Sequence, residues 1–479
     1  MSFDAVMLAR IQFGLTIMFH YLFPPLSIGL GVMLVFMEGM YLKTGDAIYE
    51  AMTKFWTRIF GLVFAMGVAS GIVMEFQFGT NWSSYSRYVG DVFGAALAAE
   101  GIFAFFLESG FLAILLFGWD RVGPRVHFLS TVMVALGSMF SAIWIVVANS
   151  WMQTPAGYHI VQTARGPRAE LTDFWAVVFN PSSAARLTHT LLGAFTLGAF
   201  FVMSITAYYI LKNRHLALAK RAFTIALVWG AIVSVAQLLA GDWSARVVAR
   251  HQPAKLAAME AVFKTEPYTP LTLFGIPDEE QGVVHARIAI PGLLSLLTHR
   301  DLKTPVTGLD RIPRADWPPV QAPFQCYHAM IALGMFFIAV TLLALFLLWR
   351  GKLFGQRWLL WIFVFAVVGP FIANEAGWLV AEIGRQPWIV YGLMRTAAAA
   401  SPSVGPGQII ASVLMFGAVY AMLFLVFIYV LDRKIRGGPE PVEPGEPPSR
   451  HGARDVFEAG GRRGKAQWRE VDGDEEGRP

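Results

Sequence analysis

QFGLTIMFHYLFPPLSIGLGVMLVFM, residues 12–37, is a predominantly apolar run with one histidine inside it, His20, and two prolines soon after. The hydrocarbon core of a bilayer takes about 20 apolar residues as a helix, so this run is long enough to cross. Pro24 and Pro25 should kink it just beyond His20. Such a break is tolerated inside a membrane where neighbouring groups satisfy the freed carbonyls. Working outward, comparable runs recur at 57–77, 94–117, 128–148, 185–211, 220–240, 324–348, 358–378 and 408–430. The expected fold class is an all-α integral membrane protein of about nine transmembrane helices.

Composition agrees. The chain has 479 residues, 56% of them hydrophobic and only 15% charged, against about a quarter charged in soluble domains; its mean hydropathy is +0.52. The net charge of +5 is informative through its distribution. Basic residues cluster in or beside the connections 38–56 (Lys43, Lys54, Arg58), 118–127 (Arg121, Arg125), 212–221 (Lys212, Arg214, Lys220, Arg221) and 349–357 (Arg350, Lys352, Arg357), and after 430 (Arg433, Lys434, Arg436). They alternate with poorer connections such as 78–93, which holds only Arg87. The positive-inside rule then places the N-terminus outside and the C-terminus in the cytoplasm. Asp4 and Arg10 precede an apolar run too long for a signal-peptide core, so no cleavable signal is expected. A single cysteine, Cys326, excludes an intrachain disulfide and a CxxCH haem attachment. No Walker motif and no GxGxxG in a strand–helix context is present, which leaves ATP hydrolysis and Rossmann binding without support.

Four regions follow: helices one to six in 1–240, a loop in 241–323, helices seven to nine in 324–436, and a tail in 437–479. The loop, expected outside, opens with a helical-looking AKLAAMEAVF. It continues through TLFGIPDEE, AIPGLL and DWPPVQAP, and its apolar content suggests a folded cap. The tail is rich in Pro, Gly, Glu and Arg, and reads as disordered and cytoplasmic.

His20, His189, Met330 and Glu382 lie in or at the ends of the apolar runs, and all four can bind iron. An ionisable group at the bilayer centre costs about 2.5–3.5 kcal/mol on insertion scales, so a cofactor is the natural reason to keep one there. With the orientation above, all four fall in the outer half of the membrane, which points to haem. A His–Met axial pair raises the potential of a six-coordinate haem, and His189 and Met330 share a depth. Taken singly, His189 reads equally well as a helix-start histidine bonded to a carbonyl, and Met330 as packing among 19 methionines. In NEAGWLVAEIGRQPW (374–388), Glu375 and Glu382 share one helical face, Gly384 and Pro387 close the helix, and Arg385 offers a fixed cation. The plainer alternative is a salt bridge between Glu382 and Arg385. In AAEGIFAFFLESG, Glu100 and Glu108 are staggered along one helix and, with Ser109 and Ser141, form a candidate proton relay. Either glutamate could instead bond a neighbouring helix. Lys255 and Glu260, five apart, suit the two hydroxyls of a quinol or, alternatively, a solvated helix face.

Together RIQFGLTIMFHYLFPPLSIG, MEFQFGTNWSSYSRYVGD, FFLESG, SAIWIVVANSWMQTPAG, GDWSARVVARHQPAKLAAMEAVF, TLFGIPD and AEIGRQPW resemble subunit I of the cytochrome bd-type quinol oxidases, over about residues 1–435. The resemblance implies helix bundles enclosing haems. His189 and Met330 become axial ligands of a low-spin haem b, and His20 and Glu382 those of two high-spin haems, one b and the other d or a further b. It implies cofactor contacts at Arg385 and Trp378, a glutamate beside the high-spin pair at Glu100, and a proton path through Glu108 and Ser109. Lys255 and Glu260 match the quinol pair. Implied partners are a second large membrane subunit, a small single-helix subunit as a further candidate, ubiquinol or menaquinol, and O2, with no nucleic acid. The implied place is the bacterial inner membrane. Quinol would be oxidised on the periplasmic side and O2 reduced with cytoplasmic protons, without a pump. Two departures stand out: the loop is of the short type, a group that includes cyanide-insensitive variants, and His328 stands where members carry arginine. Rival readings are a haem b quinol reductase without oxygen chemistry and a proton-coupled transporter, although the inverted repeats common in transporters are not seen. A haem–copper oxidase needs more membrane histidines than the chain has.

Overall fold

The computed structural model describes residues 4–440; the tail expected at 437–479 lies outside the described residues from 441 onward. Among the described residues, nine helical segments are long and apolar enough to cross a membrane. The first is a broken pair, α1 (Ala5–Tyr21) and α2 (Pro24–Thr44), followed by α3 (Ala47–Thr80). Then come α4 (Ser83–Glu100), running through a π-helical turn at Gly101–Phe105 into α5 (Phe106–Phe117), and α6 (Pro124–Gln153). A hairpin, β1 (Tyr158–Thr163) and β2 (Gly166–Leu171), and short α7 (Phe174–Val178) lead to α8 (Ser183–Leu211) and α9 (Leu216–His251). Next are α10 (Pro253–Met259), a bulged hairpin of β3 (Leu271–Asp278) and β4 (Val283–Ile290), and α11 (Leu293–His299). Then α12 (Gln321–Trp349), α13 (Arg357–Ala366) and α14 (Val368–Ile383) precede a small hairpin, β5 (Trp388–Val390) and β6 (Met394–Arg395), and α15 (Pro406–Gly437).

The helix starts have local causes. The Asp4 carboxylate accepts from Met7 N at 2.7 Å, and that of Asp46 from Ile48 N at 2.9 Å, each capping an orphan donor. Between α1 and α2 the prolines have no N–H to give, so the first helix stops at Tyr21 and the second starts at Pro24. The most buried span, α8, crosses α2 glycine on glycine. A Cβ on Gly29 would lie 2.3 Å from the Ala194 carbonyl oxygen and 2.8 Å from Gly198 Cα, so only glycine permits this approach.

Several helices outrun their apolar stretches. The 78–93 connection is almost all helix, because α3 reaches Thr80 and α4 begins at Ser83. The expected loop at 241–323 shrinks to 252–320, because α9 continues to His251. Polar residues line that extension, with Arg246 paired to Asp242 at 2.9 Å one turn away. The long connections gather at one end of the bundle. Tyr391 N donates to Met152 O at 2.9 Å, Leu171 N to the Asp91 carboxylate at 2.8 Å and Ser401 N to Asn81 O at 2.9 Å, while Arg395 pairs with Asp316.

Candidate functional site

Glu382 ends α14 under this cap. Its Oε2 accepts both forks of Arg385, one at 3.0 Å; Oε1 accepts from Asn149 Nδ2 at 3.0 Å and Gln153 Nε2 at 3.3 Å. The salt bridge weighed from sequence is therefore present, and the four donors fill the lone pairs of the carboxylate. Asn149 Oδ1 accepts in turn from Arg186, whose guanidinium lies 6.0 Å over the Trp378 ring. Trp378 meets Tyr21, the residue after His20, edge to face at 5.4 Å. Glu382, Trp378, Arg385 and the His20 region thus converge through α6 and α8. Asn149, Gln153 and Arg186 escaped the sequence reading, although two lie in the motif SAIWIVVANSWMQTPAG and the third is one turn before His189.

The His20 Nδ1 lies 3.0 Å from Ser70 Oγ, whose own hydroxyl donates to Met66 O at 2.8 Å. The ring N–H therefore sits on Nδ1, the tautomer that frees Nε2 as a donor to metal. His189 is held by Gln237 Nε2, 3.4 Å from its Nε2, and its buried Nδ1 has no partner. Both Glu375 carboxylate oxygens are likewise buried and unpartnered. Three of the four candidate ligands rest on a glycine of another helix. A Cβ on Gly71 would lie 3.2 Å from His20 Cε1, on Gly241 3.6 Å from His189 Cε1, and on Gly377 3.2 Å from Met330 Sδ. Among the described residues, no three His, Cys, Asp or Glu side chains converge as a metal cage. Solitary donors beside orphaned polar atoms would fit a cofactor that supplies most of its own metal ligands. His328, two residues from Met330, clasps α12 to the β3 strand: its ring nitrogens face Phe324 O at 2.8 Å and Thr272 O at 2.7 Å.

Glu100 and Glu108 each take a hydroxyl from α6: Ser141 Oγ donates to Glu100 at 2.9 Å, and Ser138 Oγ to Glu108. Ser109, the expected partner of Glu108, is exposed and reaches only Phe106 O of its own helix at 3.5 Å. The physical reason is that successive residues of a helix do not face each other. Nearer the start of α6 lies another pair the sequence reading missed, His127 Nδ1 with the Glu38 carboxylate at 2.6 Å, both buried.

Lys255 and Glu260 are 2% and 1% exposed, which rules out a solvated face. The predicted helix through AVF stops at Met259, leaving Glu260 as its cap residue. The two do not share a partner. Lys255 Nζ donates to Gln153 Oε1, whereas Glu260 hydrogen-bonds the Tyr327 hydroxyl and keeps Oε2 unpartnered. Burial and the neighbouring Arg186 hold the Lys255 ammonium well below its ordinary pKa, with Glu382 opposing. Burial raises the Glu260 carboxyl to about 8. Beside Lys255 lies a cavity of ≈ 240 Å³ lined by Ala254, Pro318, Arg385, Gln386, Trp388 and Tyr391 among others.

Comparison with known proteins agrees along nearly the whole chain. The family described as cytochrome bd terminal oxidase subunit I matches residues 8–439. The chain is 36% identical to cytochrome bd-II ubiquinol oxidase subunit 1 of Escherichia coli, over 94% of this chain and 100% of that one. It is 39% identical to cytochrome bd ubiquinol oxidase subunit 1 of Bacillus subtilis, over 91% and 94% respectively. Its fold superposes on the bd oxidase structure from Geobacillus thermodenitrificans with a TM-score of 0.86 at 32% identity, covering 91% of this chain and 99% of the other. A multi-pass helical bundle closed at one end by its long connections is thus the architecture of a known group, and the chain belongs to the cytochrome bd terminal oxidase subunit I family.

Proposed function

We propose that this chain is the haem-bearing subunit of a membrane quinol oxidase, which takes electrons from ubiquinol or menaquinol at the 252–320 connection and reduces dioxygen to water. The observation that carries the reading is the seating of His20, His189 and Met330, three solitary donors each braced by a glycine of another helix. Haem, when bound, supplies one-electron transfer and an iron site for oxygen. His189 and Met330 would hold a low-spin haem b; His20 and Glu382 would hold a high-spin haem b and a haem d or further haem b. Ser70 fixes the His20 ring for this task. Glu382 would hold the iron through one carboxylate oxygen, and Arg385, which now pairs with Glu382, would supply a cation for a carboxylate of the cofactor.

At the loop, the Lys255 Nζ can donate a hydrogen bond to a quinol hydroxyl oxygen. Glu260 has a free buried oxygen and a pKa of about 8, close enough to neutrality for it to exchange a proton with the quinol site and relay it outward. Protons for water pass Glu108 and Glu100, oriented by Ser138 and Ser141. The basic connections support a cytoplasmic source for these protons and an outward quinol loop, and on that reading opposite-sided chemistry separates charge without a pump. The family implies a second large subunit, and a small single-helix subunit is a further candidate.

The test is optical. The purified protein, reduced and then exposed to CO, should show a low-spin b spectrum and a CO-reactive high-spin site. Met330→Leu should perturb the low-spin band and spare CO binding, and Glu382→Ala should perturb the high-spin site and abolish oxygen consumption. A low-spin band untouched by Met330→Leu removes that residue as a ligand. A protein without haem defeats the whole reading.

A further inference from the structure

Gln153, the last residue of α6, has 0% exposure and spends its amide completely. Its Oε1 accepts from Lys255 Nζ and, at 3.0 Å, from Gln252 Nε2. Its Nε2 donates to Glu382 Oε1 and to Ala381 O, both at 3.3 Å. An amide has two lone pairs and two N–H groups, so nothing is left over. The partners also fix which way it points: an ammonium only donates and a carboxylate only accepts, so the flipped amide would lose both contacts. Leucine could not make this link, and glutamate would set a second carboxylate against Glu382.

We propose that Gln153 is a positioning residue that couples the loop lysine to Glu382, so that a quinol engaging Lys255 is felt at the carboxylate on the iron side. This rests on the quinol role of Lys255 and the iron role of Glu382 given above. Linked hydrogen bonds polarise one another, so drawing the ammonium away from Oε1 weakens the N–H that steadies Glu382. Coupling of this kind is reciprocal: a change at Glu382 alters how firmly Lys255 is held.

A double-mutant cycle on the purified, haem-loaded oxidase tests it, read by the quinol KM and by the high-spin haem absorption band. Gln153→Leu should raise the quinol KM about tenfold, the scale of one lost hydrogen bond to a charged group, and should displace the high-spin band. Lys255→Ala should displace that band in the natural background and leave it unmoved in Gln153→Leu. Gln153→Asn keeps the polarity but is too short to span, so it should uncouple the sites in the same way; it decides the matter if the leucine variant fails to assemble. Additive displacements in the double variant, with the Lys255→Ala effect on KM intact, overturn the coupling and leave the quinol reading standing. If Lys255→Ala leaves the quinol KM unchanged, the quinol reading fails and the coupling fails with it.

Discussion

Ser138 and Ser109 separate two ways in which a hydroxyl can lie near a carboxylate. Ser138 is buried on α6 and donates across the helix pair to Glu108, while Ser109 follows Glu108 in the chain and points elsewhere. If Glu108 passes protons, Ser138→Ala removes a hydrogen bond to a charged group and should slow oxygen consumption about tenfold with the haem spectrum intact. Ser109→Ala should stay near the natural rate; equal rates for the two variants would show that neither hydroxyl serves Glu108. The same contrast explains what could be read at this scale. His20 and Glu382 were visible because each interrupts or ends an apolar run, and Met330, itself apolar, only through the depth it shares with His189. Their partners were not, because Ser70 lies 50 positions from His20 and Gln153 lies 229 from Glu382. No local pattern carries information across such distances, so the motif that names Asn149 and Gln153 says nothing of whom they bind.

At the level of elements, α10 is the instructive case. Charged residues on a short amphipathic helix ordinarily face water, yet Lys255 and Glu260 are both buried, because α10 is roofed by the rest of the connection and packs against α12. Burial carries a pH signature. The Glu260 carboxyl, at about 8 in the folded chain, lies above the unfolded value of about 4.3. Between these values the folded chain keeps a proton that the unfolded chain has lost. The contribution is thus fully present below about pH 4.3 and is lost as pH rises through about 8. Thermal unfolding followed from about pH 5 to 8 should show the midpoint falling with pH, and Glu260→Gln should flatten that slope; an unchanged slope would place the titration elsewhere. The spans themselves were legible, since about 20 apolar residues leave a helix few alternatives. Their ends were not. Once the apolar run stops, as at residue 240, the backbone continues as helix to His251, held by ion pairs such as Arg246–Asp242 that no hydropathy window registers. The hairpins were hidden too: β3 and β4 sit in Gly- and Pro-punctuated sequence whose pairing is bulged, so the alternation of a regular strand is broken.

For the molecule as a whole, the decisive property is direction. The cap formed by the 154–182, 252–320 and 384–405 connections lies at one end of the bundle with Glu382, Lys255 and Glu260, while Lys54, Lys352 and Arg433 belong to connections or helix ends that alternate with it along the chain. Under the proposed orientation the basic connections face the cytoplasm and the capped end faces outside, and the proposed direction of charge separation depends on it. Glu280, at the β3–β4 turn, and Lys352, between α12 and α13, are both exposed and stand on connections expected to face opposite sides. In a Cys326→Ser background, Glu280→Cys should react with a membrane-impermeant maleimide in intact spheroplasts, and Lys352→Cys only in inside-out vesicles. With that result, protons from quinol at the cap appear outside while those entering water leave the cytoplasm, and turnover charges the membrane with no pumping element. The opposite labelling would put quinol oxidation on the inner face, and the same chemistry would then run the membrane potential down.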